Sequence, residues 1–308
     1  MSLRTSLACL AIACLVPHVA SAASLILSSR GQVALEARGF LPDDDAATTD
    51  YGLGLFGRVE ARLKKRPWSA RMRVAGRVDT VDKQRSYAWI EELWAEWKSG
   101  PVRLRVGADI VNWTATEAFH PADVLNSRNL DSDFKNLDKV GEPMVRLAVD
   151  AGDGLLELFA LPMVVRPLKP SPRSRFNFLR SLDPDPRVRI IETNGTISNH
   201  KLAPQGALRW SQSFRGADLS LQAIHHVDRG QPAILFVPPA GPATMLLQTV
   251  THAGLTYTQT VRGAILKLEG AYRHFWPADT SPTAPLAFDD RDHLQLAPGF
   301  EYTRTIPR

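Results

Sequence analysis

An alternation of apolar and charged side chains with a period of two residues limits this chain more than any other feature. Over 32–40, Val33, Leu35, Ala37 and Gly39 alternate with Gln32, Ala34, Glu36 and Arg38. Over 52–63, Leu53, Leu55, Gly57, Val59, Ala61 and Leu63 alternate with Gly54, Phe56, Arg58, Glu60 and Arg62. The same pattern runs through 71–79, 102–110 and 266–273, and weaker copies fill 87–98, 144–150, 155–163, 207–214, 217–227, 252–261 and 294–303. Neighbouring side chains of a strand point to opposite faces, so each segment has one oily and one charged face. The pattern predicts about twelve strands of roughly eight to twelve residues, the length a tilted strand needs to cross a bilayer.

The connections carry further information. After the first strand they run long, short, long, short: 41–50, 80–86, 112–143, 164–206, 228–250 and 276–293 are long, whereas 64–68, 99–101, 151–154, 215–216 and 262–263 are short. A soluble sandwich has no reason to gather its long loops at one end. An outer-membrane barrel does, with short periplasmic turns and long extracellular loops. No helical period persists, and no stretch approaches ~18 uninterrupted apolar residues. Backbone polar groups in hydrocarbon all need partners, which leaves a closed barrel as the spanning structure. The expectation is therefore an all-β, antiparallel up-and-down transmembrane β-barrel.

In such a barrel the charged faces line a wet lumen, because a charge at the lipid midplane costs roughly 2–4 kcal/mol. Arg58, Arg62, Arg71, Arg73, Arg77, Arg103 and Arg105 are the lumen candidates, together with Glu60, Asp79, Asp109, Lys267, Glu269 and Arg273. Tyr51, Tyr87, Trp89, Trp94, Trp97, Trp113, Tyr257, Tyr272, Phe275, Trp276, Phe300 and Tyr302 lie near strand ends, where an aromatic girdle is expected. A soluble periplasmic β-sandwich binding module stays open as an alternative. It would hide its oily faces in a core.

The N-terminus sets the compartment. Arg4, the apolar run 7–16 and the small-x-small end Ala20-Ser21-Ala22 read as a signal peptide over 1–22, leaving 23–308 as the barrel domain. Cys14 makes a poor lipoprotein site after Ala11-Ile12-Ala13. Both cysteines, Cys9 and Cys14, fall within the leader, so the mature chain has neither a disulfide framework nor a thiolate metal site. Loss of Arg4 takes the formal charge from +5 to +4, and no Lys-rich tail suggests nucleic acid.

The most distinctive segment, 110–141, is rich in Asn, Asp, Pro and Ser and reads as a structured loop. It carries Gly107 just upstream, then Asn112-Trp113, Pro121-Ala122-Asp123-Val124-Leu125-Asn126-Ser127-Arg128-Asn129, and Gly141-Glu142-Pro143. Over about residues 102–147 the chain resembles a family of porin-like outer-membrane barrels of largely unassigned role, with the look of alginate-export porins. It departs from that pattern at Thr114, where Gly is usual, and at Asn129, where Asp is usual. The resemblance implies a porin-like barrel, and an arginine-lined lumen implies diffusion or export of polar solutes, with anionic ones as candidates. A non-conducting barrel with a structural or surface-binding role is the alternative. A loop folded into the lumen would narrow it and present Trp113, His120, Asp123, Asn126, Arg128 and Asp131 to the solute path.

Catalysis has little support. His120 with Ser127 and Asp123, or His225-His226 with Asp228, can be drawn as triads, but neither matches a nucleophile elbow. No metal or cofactor is expected, since His225 and His226 alternate faces and the other histidines lack ligand spacing. The Pro- and Arg-rich stretch 166–189 could meet lipopolysaccharide phosphates. The expected partners are outer-membrane lipid and lipopolysaccharide, small polar solutes, and the chaperone and barrel-assembly machinery of the periplasm. The ending Tyr302-Thr303-Arg304-Thr305-Ile306-Pro307-Arg308 lacks the usual terminal aromatic residue, which suggests a barrel missing further hairpins.

Overall fold

A computed structural model describes residues 25–41, 48–132, 138–171, 173–177, 187–192, 195–197, 202–230, 233–235, 244–276 and 291–302. The expected leader at 1–22, with Cys9 and Cys14, lies outside the described residues, as does the ending from 303 onward.

In chain order the strands are β1 (Ile26–Gly39), β2 (Tyr51–Lys65), β3 (Trp68–Asp79), β4 (Tyr87–Ser99), β5 (Val102–Asp109), β6 (Glu142–Ala151), β7 (Gly154–Met163), β8 (Arg187–Glu192), β9 (Gly195–Ile197), β10 (Leu202–Phe214), β11 (Ala217–Val227), β12 (Ala233–Leu235), β13 (Thr244–Leu247), β14 (Thr249–Val261), β15 (Ala264–Phe275) and β16 (His293–Tyr302). Twelve of them form one all-antiparallel sheet in next-neighbour order, β1-β2-β3-β4-β5-β6-β7-β10-β11-β14-β15-β16. Each short connection of that sheet is a two-residue turn, as at Arg262 (φ 46°) and Gly263 (φ 85°), where two left-handed residues match the twist of the flanking strands. The long connections all leave from the opposite rim.

Two of those long connections hold structure that the sequence reading treats as loop. Strands β8, β9, β12 and β13 pair into a small second sheet, with β13 parallel to β8. These strands are too short for a sustained alternation and their β8–β13 pairing is non-local, so the two-residue period gives no warning of the sheet.

The large sheet reverses the usual placement of polarity. Val33, Leu35, Leu53, Leu55, Val59, Leu104, Val106, Leu156, Leu158, Leu208, Leu221, Leu266, Leu294 and Leu296 are exposed on one face. On the other, Glu91, Glu142, Glu157 and Glu269 are among the most completely buried side chains. Water-soluble chains rarely show so continuous an apolar surface, which calls for a hydrocarbon neighbour.

The sheet curls around the described parts of the β5–β6 loop, 110–132 and 138–141. Arg38 on β1 donates to the Asp131 backbone oxygen (3.3 Å), while a Cβ on Gly299 of β16 would sit 3.3 Å from Thr116. One loop thus touches both ends of the sheet, which a flat sheet could not allow. Among the described residues β1 pairs only with β2 and β16 only with β15.

Apolar clusters sit inside this curl. Val111, Trp113 and Leu125 of the loop pack with Met144, Phe159, Leu161, Ala207 and Ile224 from β6, β7, β10 and β11. A second cluster joins Val140 to Phe56, Ala75 and Trp89 on the opposite wall. Burial corrects the girdle expectation: Trp89 and Trp113 lie in these clusters, Phe275 is buried elsewhere, and Tyr87 donates to Asn129 of the loop (3.1 Å). Tyr51, Tyr272, Trp276, Phe300 and Tyr302 are the exposed members.

Candidate functional site

The inward faces of β2–β5 form ladders in which cation and carboxylate neighbour one another. Arg58 donates to Glu91 (2.7 Å), and Arg73 pairs with the same carboxylate (2.6 Å). Arg71 bridges Glu60 (3.2 Å) and Glu92 (3.0 Å). Arg105 bridges Glu96 (2.7 Å) and Asp109 (2.8 Å), and its guanidinium lies 3.8 Å from the Trp94 ring centre. Arg103 pairs with Asp150 (2.6 Å) and Arg62 with Glu60 (2.5 Å). The ladder continues through Glu157, which takes both Arg146 and Arg209.

A break in the alternation makes this possible. Between β3 and β4 the register slips after Arg73, so that Arg73 faces Glu92 and Val74 faces Ile90. The bulge turns the sequence neighbours Glu91 and Glu92 both inward, where they are buried beside Arg58, Arg71 and Arg73. The alternation points to the arginines but not to these two carboxylates. Adjacent charges on an alternating strand would otherwise face opposite ways.

The loop is built in two parts. Asn126 staples its base: the side-chain oxygen accepts from Val111 N (2.8 Å), and Nδ2 donates to Asp109 O (2.8 Å) and Val140 O (3.0 Å). Asp123 pairs with Arg128 (2.9 Å) and Lys139 (2.6 Å). Burial pulls the Lys139 ammonium down to about 8, against the opposing pull of Asp123. Asp131 gathers Arg85 (2.9 Å), Arg77 (3.3 Å) and Arg38 (3.5 Å) at the outer rim. Gly107 and Gly141 let the flanks lie against β4, since a Cβ there would come within 2.2 Å of Leu93 O and 2.5 Å of Glu91 O.

The tip, 114–122, crosses to the far wall. The Glu269 side chain on β15 accepts from Ala115 N (2.6 Å), Thr116 N (2.7 Å) and Thr116 Oγ1 (2.9 Å), and His120 Nδ1 stands 3.4 Å away. Gln222 donates to Ala122 O, and Arg273 to Pro121 O (3.4 Å). Strand β15 lies six places from β5 in the twelve-strand order, so the tip reaches half-way around the sheet.

The named site residues therefore divide. Arg58, Arg62, Arg71, Arg73, Arg103 and Arg105 line the inner wall of β2–β5, with Arg62 the most open at 47% side-chain exposure. His120 and Arg128 are partly open on the loop. Arg77, Trp113, Asp123 and Asn126 are buried and hold the loop together. His226 and His252 approach with ring centres 6.2 Å apart, but among the described residues no group of three metal-ligating side chains forms.

No protein-family model and no curated protein matches the chain. Among solved structures, a mutant of the Rh. blastica porin overlays with TM-score 0.36 and 10% identity, over 91% of this chain and 91% of that one. OmpT, an outer membrane protein of Vibrio cholerae, gives 0.37 and 12%, over 84% of this chain and 65% of that one. Pseudomonas aeruginosa OccD3 (OpdP) gives 0.36 and 8%, over 82% and 57%. The chain thus spans less than two thirds of the length of the last two.

Proposed function

We propose that this protein is an outer-membrane, porin-like channel for passive diffusion or export of small polar solutes, exported by its leader and seated in lipid and lipopolysaccharide. One observation carries the reading: the curled sheet has an apolar outer face and a charged inner face, and one loop crosses that inner side from wall to wall. Neither an enzyme nor a cofactor is needed for this role. Periplasmic chaperones and barrel-assembly machinery belong with it as partners during export.

The solutes are proposed as polar, with anions favoured only weakly. Each lumen arginine has a carboxylate beside it, so a permeating anion meets paired charges rather than a bare cationic wall. A second reading, a barrel that conducts little because the loop plugs it, draws on the apolar cluster of Val111, Trp113 and Leu125 inside the lumen. Single-channel recording of the refolded full-length protein decides between them. Discrete current steps support the channel, and a silent bilayer with folded protein supports the plug.

A further inference from the structure

We infer that Glu269 is the positioning residue that latches the loop tip across the lumen, and that releasing this one carboxylate opens the passage; the second half rests on the channel reading above.

Base and tip of the loop are attached by different physics. The base is fixed by apolar burial around Val111, Trp113 and Leu125 and by the Asn126 staple, so leaving the wall would expose oily surface. The tip, 114–122, buries only the small apolar side chains of Pro121 and Ala122, and its bonds to the β11–β16 wall are polar: Glu269, Gln222, Arg273, and Lys267 with Glu117. Phe119 is half exposed and anchors nothing.

Glu269 dominates that set. It is fully buried, and among the described residues no arginine or lysine lies within ion-pair distance of it. Its negative charge is met at Oε1 by the N–H groups of Ala115 and Thr116, with His120 Nδ1 at 3.4 Å and the Thr116 hydroxyl shared between Oε1 (2.9 Å) and Phe119 O (2.7 Å); all are supplied by the loop, and Oε2 has no hydrogen-bond partner among the described residues. Charge-assisted bonds of this kind are about twice as strong as neutral ones. When the tip lifts, water in the lumen can solvate the carboxylate, so the open state strands no buried charge. The arrangement is a reversible catch rather than a rivet.

The test uses a reporter independent of current. No cysteine occurs after Cys14, so Ala122→Cys gives the mature chain a single thiol at a fully buried tip position. In vesicles, a membrane-impermeant thiol reagent should label it slowly while Glu269 is present. Glu269→Gln keeps the shape and removes the charge, and Thr116→Val removes, from the loop side and without touching the wall, the hydroxyl that Glu269 shares with Phe119 O. Each should raise the labelling rate about tenfold or more, where tenfold corresponds to ~1.4 kcal/mol. Gel mobility of the unheated barrel should stay that of folded protein. Glu269→Gln should also raise the open fraction in planar bilayers. Unchanged labelling in both folded variants overturns the latch. Faster labelling without current in any variant upholds the latch and removes the channel reading instead.

Discussion

The wall made by β2–β5 and the wall made by β10, β11 and β14 follow the same two-residue rule and arrive at different chemistry. The first turns inward Arg58, Glu60, Arg71, Arg73, Glu91, Glu92 and Arg105, interlocked as ladders. The second turns inward Ser220, Gln222, Thr256, His226 and His252, with Arg209 held between Glu157 and Ser220. Alternation fixes which side faces the lumen. It leaves open what that side offers a solute. A charged wall depends on partners being kept, whereas a neutral wall of hydroxyls and amides tolerates loss one group at a time.

That difference can be broken by experiment. The largest effect should come from Glu91→Gln, which strips the shared partner from Arg58 and Arg73, leaves them only Asp138 and Glu92, and should cost about 3 kcal/mol of unfolding free energy in lipid. Ser220→Ala on the other wall should cost only about 1 kcal/mol. Equal losses would show that the ladders are not interdependent. Next in size, Val59→Arg and Leu221→Arg place a charge on the oily exterior of either wall, and each should cost roughly 2–4 kcal/mol near mid-bilayer. Here the walls should agree, and a harmless substitution on one side would mean that side does not meet lipid.

A smaller effect concerns Lys139. Its pKa falls to about 8 in the folded protein against 10.5 for the ordinary side chain, so between those values the unfolded chain holds more protons. The penalty of the buried charge is complete below pH 8 and is relieved as pH rises toward 10.5. Unfolding free energy should gain on the order of 1 kcal/mol between pH 8 and 9, and Lys139→Met should erase that slope in a pH series. The smallest expected change is in selectivity. Arg103→Glu with Arg105→Glu should shift the reversal potential toward cations by a factor of a few in permeability, below ~1 kcal/mol. Ser211→Ala should leave it alone. An unmoved reversal potential in the double variant would remove the charged wall from the solute path.

Much of the fold was legible because period two survives packing. The alternations through Val59, Val74 and Val106 name both the exterior and interior of β2, β3 and β5, and the short connections at 215–216 and 262–263 are the observed turns. The candidate site was legible as segments, not as geometry. Trp113 and Asn126 look like polar-path residues in sequence, yet their partners, Phe159 on β7 and Val140 beyond the loop, are chosen only once the strands assemble. Glu91 and Glu92 were hidden by a bulge, and Glu269 was readable as inward but not as the acceptor for Ala115 and Thr116.

The separation between Ala115 and Glu269 is 154 residues, in a sheet whose other pairings join neighbouring strands. Hairpins can therefore zip locally and in order, but the tip has nowhere to dock until β15 arrives. Seating of the tip is a late event in assembly. An intermediate lacking β15 and β16 would present an unsecured tip, and in this it would differ from the assembled twelve-strand sheet.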